Sequence, residues 1–405
     1  MKGKKIILGI SGGISAYKAA ELVRLLVRSE ATVHVAMTLN ATRFVTPMTF
    51  EALSGHKVIY DMWAQDGSSI DHITWGQDTD LIIIAPATAN LVAKMAQGIG
   101  DDFLSTMLIA ATARVLVCPS MNSAMLMNPA VQNNLRLLKE RKITVMIPGE
   151  GELACRSCGP GRLPEPVEIL EQAHILLSRQ DLSGLRIMVT AGATVEPIDP
   201  VRYITNRSSG KMGYAIARAA RIRGASVILV SGPTSLPPPY GVNYKGVKNA
   251  EEMRKAVFES SRDCDIVIKA AAVSDYRPEE EAIQKIKKGA ESLTIKLVKN
   301  PDILAELGKA KKTINYTLVG FAAETEDLLK NASEKLKAKN LDMIVANDVS
   351  RNDAGFETDT NIVKIIYGDG HIEDSPLLKK EEIADLILDR VKALREGYLG
   401  TRKGT

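Results

Sequence analysis

The chain has little cysteine, little net charge and no long apolar run, and each shortage removes a class of protein. Four cysteines in 405 residues cannot form the disulfide framework of a small secreted scaffold. Lysine and arginine exceed aspartate and glutamate by only 52 to 48, so nucleic acid is not expected as the main partner. No apolar stretch approaches the roughly 20 residues that cross a bilayer, and no membrane contact is expected. The N-terminal MKGKKIILGI sets basic residues before an apolar run, but Ser11, Gly12 and Gly13 cut that run short of a signal-peptide core. A cytoplasmic protein is therefore expected. What remains is a globular composition, 45% hydrophobic and 25% charged, with length for two or three domains that each bury a core.

Apolar runs at 4–11, 32–38, 80–88, 114–120 and 144–148 alternate with helical patterns. The first of these patterns, over 15–29, carries Ala19, Leu22, Val23 and Leu26 at helical spacing. Runs at 185–194, 225–233, 265–273, 317–325 and 342–348 continue the alternation. A hairpin over 361–374, turning at Gly368-Asp369-Gly370, and a helix over 379–396 close the chain. This predicts an α/β protein with two doubly wound parallel-sheet domains, residues 1–180 and 181–405. IPGEGELACRSCGPGRLPEP (147–166) is dense in glycine and proline, which predicts irregular backbone. It reads as a flap over a site in the first half with Cys155 at its tip; an interdomain linker with incidental thiols is the competing reading.

In a doubly wound sheet, ligands bind beyond the carboxyl ends of the strands, so those ends carry the candidates. GISGGISAYK (9–18) opens a helix, where Gly12, Gly13 and Ser15 offer free N–H groups and the positive end of the dipole to a phosphate. The turn is not GxGxxG, and the next strand ends in Met37-Thr38, where a dinucleotide site needs an acid for the ribose. A mononucleotide is therefore expected, FMN first, with Thr38 beside it; packing alone is the other use of such a turn. APATAN (85–90) supplies Pro86, Ala87 and Thr88, which let a flat ring approach closely. In PSMNSAMLMNP (119–129), Asn122 and Asn128 bracket methionines directly after a strand. That is either a polar site or an Asn-capped helix start with core methionines.

His72 follows Asp71 in a polar segment, which allows a base oriented by a carboxylate; a non-catalytic surface histidine is the alternative. His34 lies inside a strand, and His174 sits on an apolar face with Val167, Leu170 and Leu177. Cys155 and Cys158 make a CxxC pair, but no second CxxC or nearby histidine pair completes a zinc site. In the second half, SSGKMGYAIARAARIRG (208–224) opens like a P-loop and fails its test. Thr205 stands where the first glycine is required, and Met212 where a hydroxyl should hold magnesium. An anion site at a helix N-terminus remains. Between Asp275 and Asn300 the periodicity gives way to Lys285, Lys287, Lys288, Lys296 and Lys299. This is a solvated face, or a mobile flap that orders over a triphosphate.

These segments together resemble the bifunctional phosphopantothenoylcysteine decarboxylase/phosphopantothenate–cysteine ligase family of coenzyme A biosynthesis. GISGGISAYK, the His72 segment, APATAN, PSMNSAM and LAC…GPGR carry the likeness in the first half. TAGAT, EPIDPVRYITNRSSGKMG, AAAVSDYRP, KIKK, KNPDIL, GFAAET, KNLD and ANDV carry it in the second, and it covers nearly the whole chain. The resemblance implies a flavodoxin-like flavoprotein domain followed by a Rossmann-like domain with an added β-hairpin. It implies that the first half binds FMN and decarboxylates the cysteinyl moiety of its substrate, because a simple amino-acid carboxylate needs a cofactor as electron sink. His72 matches the family's essential histidine, Asn122 the residue that holds the substrate carboxylate, and Cys155 the acid on the flap. Here Arg156 follows the flap cysteine where the family usually has glycine, and Cys158 is an addition able to share its role or form a reversible disulfide.

The resemblance further implies that the second half activates 4′-phosphopantothenate with CTP and Mg2+ as an acyl-cytidylate, from which L-cysteine displaces CMP. Nucleotide positions that match are Ala270, Ala271, Asp275, Lys285, Pro301, Asp302, Ile303, Leu304, Phe321, Lys335 and Lys339. Asn206 matches the residue needed to consume the intermediate, and the magnesium ligands stay unassigned. A homo-oligomer is implied, with trimers of the first half that hold flavin between protomers and assemble up to a dodecamer, and dimers of the second. Two rival readings come from other classes. A dinucleotide-dependent oxidoreductase with two Rossmann-like halves is opposed by the missing ribose acids and GxGxxG. A non-enzymatic flavin-binding or scaffolding protein would leave the lysine run merely solvated.

Overall fold

A computed structural model describes residues 1–63, 71–152, 158–287, 293–324, 327–348 and 359–402; Cys155 and Lys288 lie outside the described residues. The chain divides into two compact units, Met1–Ser178 and Arg179–Thr405. Among the described residues, no helix is long and apolar enough to cross a membrane.

The first unit is built on strands β1 (Lys5–Ile10), β2 (Thr32–Met37), β3 (Leu81–Ala87), β4 (Arg114–Pro119) and β5 (Thr144–Val145). They are all parallel, in the order β2-β1-β3-β4-β5. This is the flavodoxin-like order, whose switch point lies between β1 and β3. Helices α1 (Ala16–Arg28), α2 (Pro47–Ser54), α3 (Asp71–Gln77), α4 (Ala89–Gln97), α5 (Phe103–Ala110), α6 (Ser123–Met127) and α7 (Pro129–Glu140) connect the strands. Burial on both faces explains the continuous apolar runs: β3 is buried along its whole length. α1 turns Ala16, Ala19, Leu22, Val23 and Leu26 inward, the larger of these each contributing about 2 kcal/mol of burial.

The Gly/Pro-dense stretch departs from expectation. Its arms form an antiparallel pair, β6 (Gly149–Glu152) with β7 (Cys158–Arg162), before α8 (Pro166–Leu177) closes the unit. Gly151 and Gly161 take φ of 140° and 133°, values a side chain rarely tolerates. A register shift beside Gly149 brings Pro160 opposite Glu150. Irregularity was expected because residue type alone hides this pairing.

The second unit opens with β8 (Arg186–Ala191), a small hairpin β9 (Val195–Pro197) and β10 (Tyr203–Thr205), and α9 (Lys211–Ile222). It continues through β11 (Ser226–Ser231), β12 (Asn243–Gly246), α10 (Ala250–Ser261), β13 (Ile266–Lys269), a second hairpin β14 (Tyr276–Pro278) and β15 (Leu297–Lys299), and α11 (Ile303–Ala310). Then come β16 (Thr317–Glu324), α12 (Leu328–Ala338), β17 (Met343–Asp348), β18 (Thr360–Asn361), β19 (Val363–Tyr367), β20 (Ile372–Asp374), β21 (Leu378–Lys379) and α13 (Lys380–Arg402).

The main sheet runs β12-β11-β8-β13-β16-β17-β19-β20. Its strands are parallel as far as β17, and the expected terminal hairpin, β19–β20, adds antiparallel. Two expectations are corrected. The strand expected over 265–273 stops at Lys269, because the amides beyond it leave the ladder: Ala271 N bonds the Thr190 hydroxyl and Ala272 N the Gly192 carbonyl. The segment expected to be irregular, 195–207, contains the β9–β10 hairpin, held by the buried Glu196, whose carboxylate accepts from Ala250 N at 3.0 Å.

In the first unit the His34 ring stacks on His56, centroids 4.3 Å apart, with Trp75 edge-on at 5.2 Å. Burial, then the charges of His56 and Lys5, push His34 down to about 4. The native state thus refuses a proton that the unfolded chain binds near 6.5. Stability from this site is complete above pH 6.5 and is lost as the pH falls toward 4. Both tryptophans, Trp63 and Trp75, lie in this unit, so thermal melts followed by tryptophan fluorescence report on it. The expected outcome is a midpoint that drops over that window in the wild-type chain and drops less in His34→Phe.

Candidate active sites

A cavity of about 660 Å³ opens at the carboxyl ends of the first sheet. Gly12, Gly13, Ser15, Thr88 and Asn122 line it, with Ser120, Met121, Lys18 and Arg162 beside them. Gly12 is needed because a Cβ there would lie 2.8 Å from the Asn40 backbone. A Cβ on Gly13 would meet only the Thr88 methyl, at an ordinary contact distance of 3.5 Å. The Ser15 hydroxyl does not cap α1. It lies 2.8 Å from the Ser120 hydroxyl, giving two adjacent hydroxyls beside a helix N-terminus. Pro86 and Ala87 do not line the cavity; they are buried in β3 and present Thr88, which caps α4 by accepting from Leu91 N. Thr38 also stands outside the lining, where it accepts from Ala41 N at the end of β2.

Asn122 and Asn128 are both N-caps, accepting from Ala124 N at 2.8 Å and Ala130 N at 2.9 Å. The methionines between them are not core: Met125 and Met127 are exposed, and in α6 only Leu126 is buried. β7 lies against this turn, with Met121 N donating to Gly161 O at 2.9 Å and the Ser123 hydroxyl to Pro160 O at 2.7 Å. Cys158 is exposed at the start of β7 and bonded to no other cysteine among the described residues. His72 lies on α3 and does not line the cavity.

The second unit has a cavity of about 470 Å³ at the strand ends of its own sheet. It gathers Asn206, Ala270, Ala271, Asp275, Pro301, Asp302, Ile303, Leu304, Phe321, Lys335 and Lys339 from widely separated segments. The start of α9 forms another wall, with Gly210 at φ 77° as its N-cap. Gly213 lets α9 press on β8, since a Cβ there would lie 2.6 Å from that of Ala191. Asp302 caps α11 through Ala305 N and pairs with Lys339 at 2.8 Å. Asn206 donates to Ala272 O at 3.3 Å.

Lys285 is exposed and outside the lining. The adjacent Ile286 is fixed by Asp199, whose carboxyl is held far below the usual carboxylate range by its hydrogen bonds with Arg202. Sequence reasoning missed Lys269, Lys380 and Asn347, which also line this cavity. Burial, then the charge of Lys339, pushes Lys269 down to about 8; burial and Lys211 do the same to Lys380. Among the described residues, the buried Asn347 Oδ1 has no hydrogen-bond partner. A lysine closing the apolar run DIVIK was the available signal for Lys269. No group of three or more potential metal-ligating side chains occurs among the described residues.

The contact between β7 and the Asn122 turn is sterically tight. A Cβ on Gly161 would lie 2.1 Å from the Met121 carbonyl oxygen, at a φ of 133°. Gly161→Ala is expected to destabilise the first unit by about 2 kcal/mol, measured by tryptophan-monitored melts.

Comparison with known proteins extends over both cavities. Residues 1–177 match the family described as Flavoprotein, and residues 182–394 the family described as DNA/pantothenate metabolism flavoprotein C-terminal domain. Over 399 residues the chain is 47% identical to the coenzyme A biosynthesis bifunctional protein CoaBC of Bacillus subtilis, covering 97% of this chain and 98% of that one. The Escherichia coli K12 protein of the same name is 47% identical over 398 residues, covering 96% and 97%. A crystal structure of the C-terminal domain of a CoaBC protein is 44% identical and covers 53% of this chain and 98% of its own, with a TM-score of 0.46. With near-complete coverage of full-length relatives at this identity, the chain belongs to the CoaBC family of bifunctional coenzyme A biosynthesis proteins.

Proposed function

We propose that the two units divide the work of this bifunctional enzyme, a carboxy-lyase and a carbon–nitrogen ligase. The second unit ligates 4′-phosphopantothenate to L-cysteine at the expense of CTP, and the first decarboxylates the product to 4′-phosphopantetheine with FMN. The observation that carries the reading is convergence: residues from segments 206, 270–275, 301–304, 321 and 335–339 meet on one cavity. In the ligase reaction the carboxylate attacks the α-phosphorus of CTP and pyrophosphate leaves. The cysteine amine then attacks the acyl carbon and CMP leaves with the bonding pair. The start of α9, Lys335 and Lys339 offset the triphosphate charge, while Asn206 serves the step that consumes the acyl-cytidylate. Asp275 and Asn347 Oδ1, the latter without a partner among the described residues, are oxygen donors that suit magnesium, which takes one or two protein oxygens and completes its shell with phosphates and water.

For the first unit, the wall at Gly13, the paired hydroxyls of Ser15 and Ser120, and the apolar sides of Ile14, Met121 and Leu163 fit the phosphate and flat ring of FMN. When bound, FMN supplies the two-electron chemistry that turns the cysteinyl carboxylate into a leaving group. Asn122 orients that carboxylate, His72 acts as the base, and Cys155 donates the final proton. His72 stands outside the cavity of its own chain, which favours a site completed by a second copy. Exposed Ile14, Tyr17, Met48 and Met127 offer apolar area for such a contact. The assembly is a homo-oligomer, with trimers of the first unit, up to a dodecamer, and dimers of the second. A cytoplasmic setting keeps Cys158 reduced.

One reaction mixture tests the scheme. With phosphopantothenate, cysteine, CTP and magnesium, the expected product by mass is 4′-phosphopantetheine, with none formed when CTP is withheld. Accumulation of phosphopantothenoylcysteine alone would remove the decarboxylase assignment; absence of both products would remove the ligase assignment. Cys155→Ala is expected to release carbon dioxide and stall at the oxidised enethiol, whereas Cys158→Ala turns over. The reverse pattern would move the acid to Cys158.

A further inference from the structure

The lysine segment before residue 288 is tied to the β9–β10 hairpin. The Asp199 carboxylate is fully buried and takes five donors. They are Val201 N at 2.9 Å, Arg202 N at 2.8 Å, Arg202 Nε at 3.0 Å, Arg202 Nη2 at 2.6 Å and Ile286 N at 3.1 Å. Arg202 Nη2 also donates to Ile286 O at 3.1 Å. Ile286 is therefore held through both its N–H and its carbonyl, and Ala282 N adds a bond to Ile198 O at 3.0 Å. A merely solvated lysine face has no use for a carboxylate whose lone pairs are all met by its own hairpin and by this segment.

The base of the clamp is rigid. β9 is fixed by Val195 N to Lys248 O at 2.9 Å and by Glu196, and β10 by the Thr205 hydroxyl to Thr194 O at 2.8 Å. Ile286 is flanked by Lys285 and Lys287, and β10 runs directly into Asn206, which lines the cavity.

We infer that Asp199 is a positioning residue for the ligase reaction, clamping Ile286 to the β9–β10 hairpin so that Lys285 is held within reach of the nucleotide triphosphate. The inference rests on the ligase reading of this unit. Asp199 touches neither substrate nor metal; it limits the arc that Lys285 can sweep and so lowers the entropy lost when the lysine meets phosphate.

The test uses the full-length chain, titrating CTP in a pyrophosphate-release assay. Asp199→Asn is expected to raise KM for CTP about tenfold, with kcat at saturating CTP and KM for cysteine within twofold of wild type. Ile286→Pro removes the N–H that Asp199 accepts, while also fixing φ at 286 and narrowing the backbone of Lys285; it is expected to reproduce the KM rise with the Asp199–Arg202 fork intact. Tryptic cleavage after Lys287, located by mass, is expected to accelerate in both variants whether or not they are active; cleavage after Lys285 is read in Asp199→Asn alone, because trypsin does not cut before proline. An unchanged KM for CTP in Ile286→Pro, alongside normal wild-type pyrophosphate release, overturns the clamp. Equal losses of kcat and thermal stability in Asp199→Asn, with Ile286→Pro like wild type, reduce Asp199 to a structural role and also overturn it. A wild-type chain without CTP-dependent pyrophosphate release overturns the ligase reading, and the inference with it.

Discussion

A buried hydroxyl at the end of the first strand, bonded to the exit turn of the neighbouring strand, recurs at both cavities. In the first unit the Ser11 hydroxyl donates to Pro86 O and accepts from Thr88 N, both at 2.8 Å. In the second, Thr190 and Thr194 accept from Ala271 N and Ser274 N, both at 3.1 Å. These bonds cross between β1 and β3, and between β8 and β13, where the winding of each sheet reverses. At the first of these crossings β3 carries no polar side chain and β1 only Lys5 at its start. The strand ends must therefore supply every group that meets a ligand, and their turns need partners once they leave the ladder. Each orphaned buried amide would cost about 1–3 kcal/mol. The hydroxyls remove that cost and fix the turn, and the site takes its shape from them.

This also explains what the sequence reveals. Strands buried on both faces read as unbroken apolar runs, so β1, β3, β8 and β16 were visible as strands from residue type alone. Their lateral order was not, since periodicity carries no information about neighbours; that came only through family likeness. Lys269 escaped notice as a cavity residue because the run DIVIKAAAV reads as one continuous strand, whereas pairing with β8 ends at Lys269. Asn122 and Asn128 were legible as caps. Whether the methionines between them were core stayed open from spacing; α6 is only five residues long and turns a single side chain inward, which leaves Met125 and Met127 exposed.

Glycine and proline content misled in the opposite direction. The 147–166 stretch looked structureless, yet its arms pair, because antiparallel pairing depends on a partner ten residues away and two of its glycines take dihedrals closed to other residues. The same holds for Asp199, an unremarkable residue in a Pro-flanked turn whose five donors come from its own hairpin and from a segment 87 positions on. Both cavities are thus bordered by a hairpin fixed at its root: β6–β7 against the Asn122 turn, β9–β10 against the α10 start and the Thr194 turn.

The antiparallel β19–β20 hairpin that ends the second sheet bears on how safely that sheet is made. A wide parallel sheet assembles from distant segments and leaves its last strand exposed to stray chains while the ribosome finishes its work. Here the outermost strand, Ile372–Asp374, is three residues long and mostly acidic. Asp374 is engaged by Lys364 across the pair and Glu373 by Arg390 of α13. So short and charged a border is a poor template for intermolecular ladders, which protects the newborn protein from fibrous self-association.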